Sequence, residues 1–228
     1  MELLNKMLKF FQSFFLGIFM VSFAIAFVIV FRPYYYLNIS ILDLENETGY
    51  TYEQITEAYD DVMDYLVFGD EFKTGDLKYS EEGKSHFEDC KKLFTLDFIC
   101  LFVSTTCLFI LFILNKYNII NLKYKKFSPG IYATIGVGSV FLILGIWGCI
   151  DFNSLFTVFH TVAFPGKDNW IFDYRTDQII NILPLQLWIN FCILIVFILL
   201  LFIALFIFIE IKRRKQILKN INNNTVIE

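Results

Sequence analysis

The chain has 228 residues, 57% of them hydrophobic and 28 of them phenylalanine, with a formal net charge of −4. Such a composition excludes an ordinary water-soluble domain as the body of the chain, and no nucleic-acid partner is expected. Five cysteines, an odd number with no Cys-x-x-Cys pair, argue against a disulfide framework or a thiol-redox enzyme, although Cys90 and Cys149 are a conceivable bridge.

The first apolar block covers about residues 10–31. It has the roughly 20 apolar residues a spanning helix needs. It does not resemble a cleaved signal peptide, because it is too long and Phe31-Arg32-Pro33-Tyr34 offers no small-residue cleavage site. Arg32, beside Pro33 and three tyrosines, can bind an oxyanion or lipid headgroup, or can anchor the interface by snorkelling.

Residues 32–92 form a long acidic segment before the next span. Within it, Tyr52 to Phe68 puts Ile55, Tyr59, Val62, Met63 and Leu66 on one helical face and five acids elsewhere, which predicts an amphipathic helix ended by Gly69-Asp70. The acids are most simply a solvated face. Calcium binding by Asp60, Asp61 and Asp64 lacks the twelve-residue loop and its glycine. Ser80 is placed to cap a helix running from Glu81 to about Leu114, whose apolar part, about residues 93–114, is the second span. At spacings of three and four, Glu82, His86, Asp89 and Cys90 share a face of that helix, and Asp97 lies three turns below His86.

The Tyr117–Pro129 loop is a short hairpin leading to a third span at about residues 131–150. Residues 151–184 are too polar for more membrane helix and too aromatic for a free loop. Phe152, Phe156, Phe159 and Phe164 suggest a short helix lying in the interface, with Trp170 as a belt residue. Asp151 and Asn190 suit helix capping or bonding, and Arg175 and Asp177 a loop salt bridge. Pro184 sits near the start of a fourth span, about residues 185–211, and the Asn-rich stretch at 220–224 is expected to fray.

The fold expected is therefore all-α: one polytopic four-helix membrane domain over 1–228, with a cap formed by the first and third connections. Lys6 and Lys9, then Lys116, Lys123, Lys125 and Lys126, then Lys212, Arg213, Arg214, Lys215 and Lys219 mark three cytoplasmic segments. Both termini are then inside, and segments 32–92 and 151–184 outside.

His86 and His160 are the two histidines of the chain, and both fall in the expected outer segments. Histidine is the side chain best suited to moving protons near neutral pH. The plain alternative is that both are interfacial polar residues. A carboxylate of Glu82, Asp89 or Asp97 can orient a ring. Two histidines with Glu82 or Asp89 can also bind zinc, but no His-Glu-x-x-His motif is present.

Two passages carry a resemblance. One is Tyr79-Ser-Glu-Glu-Gly-Lys-Ser-His86-Phe-Glu-Asp89-Cys-Lys91-Lys-Leu-Phe94. The other is Phe156-Thr-Val-Phe159-His160-Thr-Val-Ala-Phe164, with Asn169-Trp170-Ile-Phe-Asp173 and Asp177-Gln-Ile-Ile180-Asn-Ile-Leu-Pro184. With four spans and this charge map, the chain resembles the lipoprotein intramolecular transacylase family of low-GC Gram-positive bacteria. The resemblance implies transfer of an acyl chain from the sn-2 glycerol ester of a diacylglyceryl-cysteine lipoprotein to its own α-amino group. It implies His86 and His160 as catalytic residues, with Glu82, Asp89, Asp97 and Arg32 as possible supports. It implies diacylated lipoproteins and membrane lipid as partners, and no cofactor or metal. The chain departs from the family pattern at Gly83 and Thr161, where an acid often stands.

The rival readings are a non-enzymatic membrane accessory protein binding a partner through its acidic segment, and a transporter. Charged residues are scarce within the spans, which disfavours the latter. The absence of Gly-x-Ser-x-Gly disfavours a serine acyl-enzyme.

Overall fold

A computed structural model describes residues 2–69, 71–120, 122, 124 and 126–225. Asp70, Lys123 and Lys125, which bear on the end of the amphipathic helix and on orientation, lie outside the described residues.

The fold is all-α. Eight helices occur among the described residues: α1 (Glu2–Val30), α2 (Pro33–Ile41), α3 (Leu44–Thr48), α4 (Tyr52–Phe68), α5 (Glu81–Lys116), α6 (Pro129–Ile150), α7 (Phe152–Ala163) and α8 (Leu185–Thr225), with a 3-10 turn at Gln178–Ile182 before α8. Four of them, α1, α5, α6 and α8, are long and apolar enough to cross a membrane. Large aliphatic and aromatic side chains remain exposed along them, as lipid rather than water would favour. The helix α8 continues through the Asn-rich stretch to Thr225, where the sequence suggested fraying.

The chain divides into two compact units, Met1–Ala24 with Cys100–Ile143 and Val196–Glu228, and Ile25–Ile99 with Leu144–Ile195. In the first, parts of the four long helices pack together. Phe19 and Phe23 of α1 meet Phe202 of α8 edge-on at 5.9 and 5.5 Å. Gly130 lets α6 approach α8 closely: a Cβ there would lie 2.5 Å from the Phe206 ring. Glu210 is buried at 4% exposure and binds Arg213 and Arg214, while Arg213 also donates to the carbonyls of Tyr124 and Lys126. A buried carboxylate needs such partners, since unpaired it would be costly.

The second unit holds the water-type core. Tyr35, Ile39, Ile55, Ala58, Ile179 and Leu187 are among its fully or almost fully buried members. The helix α4 spans the predicted residues and buries the predicted face, Ile55, Tyr59, Val62, Met63 and Leu66, with Ala58 added. Thr51 and Gln54 form its capping box, and Gly69 ends it at φ 85°, a left-handed value that favours glycine. Tyr35 stacks on Tyr59 at 3.6 Å and donates to the Ile182 carbonyl, which ties α2 to α4 and to the segment before α8.

All five cysteines are free, so the conceivable Cys90–Cys149 bridge is not formed. Arg32 does not stand open for an oxyanion. It bonds Asp60 at 3.2 Å and pairs with Asp64 on α4, and Tyr36 donates to the same Asp60 at 2.7 Å. Asp61 accepts from the Gly75 backbone N–H. The three acids weighed for calcium are thus engaged in joining α2, α4 and the loop after α4. Asp177 does not pair with Arg175. Its carboxylate accepts from the Ser80 N–H and hydroxyl, both at 2.8 Å, and Arg175 turns to Tyr174 instead. The helix start outcompetes the guanidinium because two orphan donors sit there within reach of one buried acceptor.

Candidate active site

The site lies wholly within the second unit. Its first side comes from the start of α5. Ser80 caps that helix: its hydroxyl accepts from the Gly83 N–H at 2.9 Å. The apolar stretch of α5 begins at Leu93, so His86, Asp89 and Cys90 stand on the polar turns before it. Its second side is α7. Asp151 caps α7 by accepting from the Ser154 N–H at 2.9 Å, as its position suggested. Of the twelve residues of α7, His160 alone is buried. His160 is thus the side chain that α7 turns most fully inward.

The two imidazoles face one another. Their ring centroids are 5.9 Å apart with planes inclined by 29°. Aromatic rings wall them in. Phe164 and Phe172 meet His86 edge-on at 4.9 and 5.3 Å. Phe156 lies 4.1 Å from the His160 ring and Trp170 lies 4.9 Å from it. Phe156, Phe164 and Trp170, expected in the interface, therefore turn toward the histidines; Phe159 remains 55% exposed.

Burial sets the protonation of the pair. It is the main cause that pushes His86 down to about 4, aided by the nearby His160 and opposed by Asp89. His160 is also lowered by burial, with its bond to the Phe156 carbonyl working the other way. Both rings are accordingly neutral at neutral pH. His160 Nδ1 lies 2.8 Å from the Phe156 carbonyl oxygen, which can only accept, so the ring hydrogen sits on Nδ1 and Nε2 carries a lone pair. His86 Nε2 lies 3.3 Å from the Cys90 Sγ.

Beside the pair is a small ionic cluster. Asp89 is 7% exposed and binds Lys167 of the α7–α8 connection, Lys92 at 2.9 Å and Asn169 at 3.3 Å. Burial alone would favour the neutral acid, but these donors outweigh it and hold the carboxyl well below the usual range. Asn169 also reaches Ser85 at 3.4 Å. The effect is to pin the loop that carries Phe164, Trp170 and Phe172 onto the start of α5.

The other candidate supports fall elsewhere. Glu82 is exposed. Asp97 lies eleven residues after His86, about 16 Å along a helix axis, too far to bond the ring. Arg32 is held on α4. Lys167, Asn169 and Phe172 were not singled out from sequence; no spacing rule links a loop lysine to an aspartate 78 positions earlier. Among the described residues, no group of three or more His, Cys, Asp or Glu side chains is placed to hold a metal ion.

Comparison with known proteins gives the same architecture. Residues 10–188 match the family model for the lipoprotein intramolecular transacylase Lit. The membrane integral lipoprotein intramolecular transacylase Lit from Bacillus cereus, solved in meso, superposes at a TM-score of 0.85 with 20% identity, over 95% of this chain and 100% of that one. Variants of that protein with a histidine replaced by alanine or by arginine superpose at 0.76 and 0.74, also at 20% identity. Each covers 93% of this chain, and 96% and 95% of their own. Among curated proteins none matches.

Four apolar helices and an all-helical fold shared with that structure define an integral membrane protein, and the candidate site within it is a neutral imidazole pair in an aromatic enclosure. The chain belongs to the lipoprotein intramolecular transacylase family. It is an acyltransferase, and the reading as a non-enzymatic accessory protein is set aside.

Proposed function

We propose that this protein moves one acyl chain from the sn-2 glycerol ester of a diacylglyceryl-cysteine lipoprotein to the α-amino group of the same cysteine, giving an N-acyl lyso-form lipoprotein. The observation that carries this reading is the facing His86–His160 pair, 5.9 Å apart, in a chain that has no other histidine. The family supplies the class of reaction, and the pair supplies the proton chemistry it requires.

The amine nitrogen attacks the ester carbonyl carbon. An α-amino group has an ordinary pKa of about 7.7–8.0, so a useful fraction is neutral near pH 7–8. The attack forms a C–N bond and moves a pair of electrons onto the carbonyl oxygen. His160 Nε2, with its free lone pair, takes the proton from nitrogen. As the tetrahedral intermediate collapses, the C–O bond to glycerol breaks and the same proton passes to the departing glycerol oxygen. One proton leaves nitrogen and one reaches oxygen, so no external acid, base, cofactor or second acyl donor is consumed. His86 stabilises the oxyanion by donating a hydrogen bond. Because nucleophile and ester belong to one molecule, the site's main task is to fold the substrate so that they meet. The rings of Phe164, Phe172, Phe156 and Trp170 suit that task, offering an apolar enclosure for glycerol and acyl chain. Asp89 and Lys167 hold the enclosing loop in place. Glu82, Asp97 and Arg32 have no part in this scheme.

The substrate is anchored outside the cell, and the charge map supports a site on that side. Lys6, Lys9, Lys116, Lys126 and the Lys212–Lys219 cluster all flank the opposite ends of the long helices from His86 and His160. Both termini are then cytoplasmic. Cysteines introduced at Gly49 and Gly166 should react with a membrane-impermeant thiol reagent in intact cells above the background of the native chain, and one at Tyr124 should react only after permeabilisation. Labelling at Tyr124 alone would reverse the orientation.

The activity itself is tested by mass spectrometry of one lipoprotein N-terminus from cells with and without this gene product. The expected species are isobaric, and tandem spectra should show the acyl group on nitrogen only when the protein is present. An acyl group that stays on the glyceryl oxygen in both samples would refute the reading.

A further inference from the structure

The proposed scheme asks His86 to present a hydrogen to the oxyanion. A neutral imidazole carries one ring hydrogen, and its partners decide which nitrogen bears it. At Nε2 the partner is the Cys90 thiol, one turn further along α5 and 3.3 Å away. At Nδ1, among the described residues, there is no partner, although the atom is buried and the residue is only 5% exposed. Burial, with Asp89 beside it, pushes the Cys90 thiol up to about 12, so sulfur keeps its hydrogen. A thiol is a weak donor and a still poorer acceptor, whereas an imidazole lone pair accepts well. The S–H···N arrangement is therefore favoured over N–H···S. It leaves the ring hydrogen on Nδ1, the atom with nothing to bond.

We propose that Cys90 is a positioning residue: its S–H donates to His86 Nε2, which fixes the ring hydrogen on Nδ1 and makes Nδ1–H the donor that meets the substrate oxyanion. The arrangement mirrors that of His160, where a backbone carbonyl takes the Nδ1–H and frees Nε2 as a base. Two local partners, one thiol and one carbonyl, thus give two chemically identical side chains opposite duties. An unpaired buried N–H is costly unless a ligand completes it. Here the ligand is the oxygen that becomes negative during transfer. The use of the donor rests on the proposed function; the tautomer does not.

Because the chain has two histidines, the full-length protein labelled with 15N-histidine in nanodiscs gives two sets of ring signals, assignable with His160→Gln. In the native chain His86 should show the hydrogen on Nδ1. Cys90→Ala removes the donor. The His86 signals should then move toward the other tautomer, and the rate of acyl transfer should fall about 2–10-fold, the effect of one ordinary hydrogen bond. Cys90→Ser, whose hydroxyl donates from nearly the same place, should return both signal and rate toward native. The proposal is overturned if the native His86 hydrogen is found on Nε2, or if Cys90→Ala changes neither spectrum nor rate. It is also overturned if Cys90→Ser abolishes transfer, since that would make the thiol a nucleophile. If the tautomers are as expected but the native protein transfers no acyl group, the reading of function fails and the positioning of His86 stands.

Discussion

His160→Ala should cut the conversion of diacyl to lyso-form lipoprotein by about 10²–10⁴-fold, the usual worth of a general acid–base group, and His86→Ala by about 10²–10³-fold, the worth of one oxyanion donor. His160 is the base of the scheme and His86 the oxyanion donor, so both losses fall on one transition state. Groups that act as a unit are strongly non-additive, and the double variant should be little worse than either single one. Both rings are packed among aromatics, so alanine also leaves a space. His86→Leu and His160→Gln keep most of the volume while removing the donor and the base, and so separate chemistry from packing: they should insert and fold at native levels yet remain strongly impaired. Changing Asp60 or Asp61 on α4 should leave transfer near native, since neither approaches the pair. The measurement is the N-terminal species of one lipoprotein at matched membrane abundance. Normal conversion by His160→Gln would show that the facing imidazoles are not the reacting pair.

Gly83→Ala should destabilise the second unit by about 1–3 kcal/mol, the cost of overpacking a filled site. A Cβ at Gly83 would lie 2.1 Å from Asp177 Oδ1, 2.9 Å from its Cγ and 3.2 Å from the Phe172 ring. Asp177 is 4% exposed and cannot swing away freely. It accepts from the Ser80 N–H and hydroxyl, and Thr176 donates to it at 3.0 Å. Moving it strips the start of α5 of its acceptor, and moving Phe172 disturbs the ring against His86. Gly83→Ala should therefore lower the melting temperature in detergent by several degrees, at about 2–4 °C per kcal/mol for a chain of this size. It should reduce transfer as well. Gly145→Ala is the control, because nothing lies within 4 Å of a Cβ there and alanine is the better helix former. An unchanged melting temperature for Gly83→Ala would mean that Asp177 is not fixed where the structure has it. The same contact explains why a glycine stands at position 83: the space is already taken by the Asp177 carboxylate.

The sequence by itself determined the class and most of the secondary structure. Runs of about 20 apolar residues admit one solution in lipid, so four spanning helices followed directly from hydropathy. The extent and buried face of α4 were readable because its apolar positions keep a 3.6-residue period and a glycine ends it. Ser80 and Asp151, as caps, announced helix starts for an equally local reason. His86 and His160 stood out as the two histidines of the chain, each in a segment between spans.

What only the tertiary structure decided depends on pairs of residues far apart in the chain. That the two rings face each other, that Asp89 meets Lys167 rather than a histidine, and that Arg32 is consumed by Asp60 and Asp64 are all set by how segments pack. Helical periodicity put Glu82 and Asp89 on His86's face, but it does not say which of them a loop will cover. Periodicity also set Asp97 near the same azimuth, while the 1.5 Å rise per residue carried it out of reach. The tautomers also needed the structure, although their partners are local. A lone pair on His160 Nε2 follows from a carbonyl one turn back and a hydrogen on His86 Nδ1 from a thiol one turn on, and both are matters of ångströms and direction that a one-dimensional pattern does not hold.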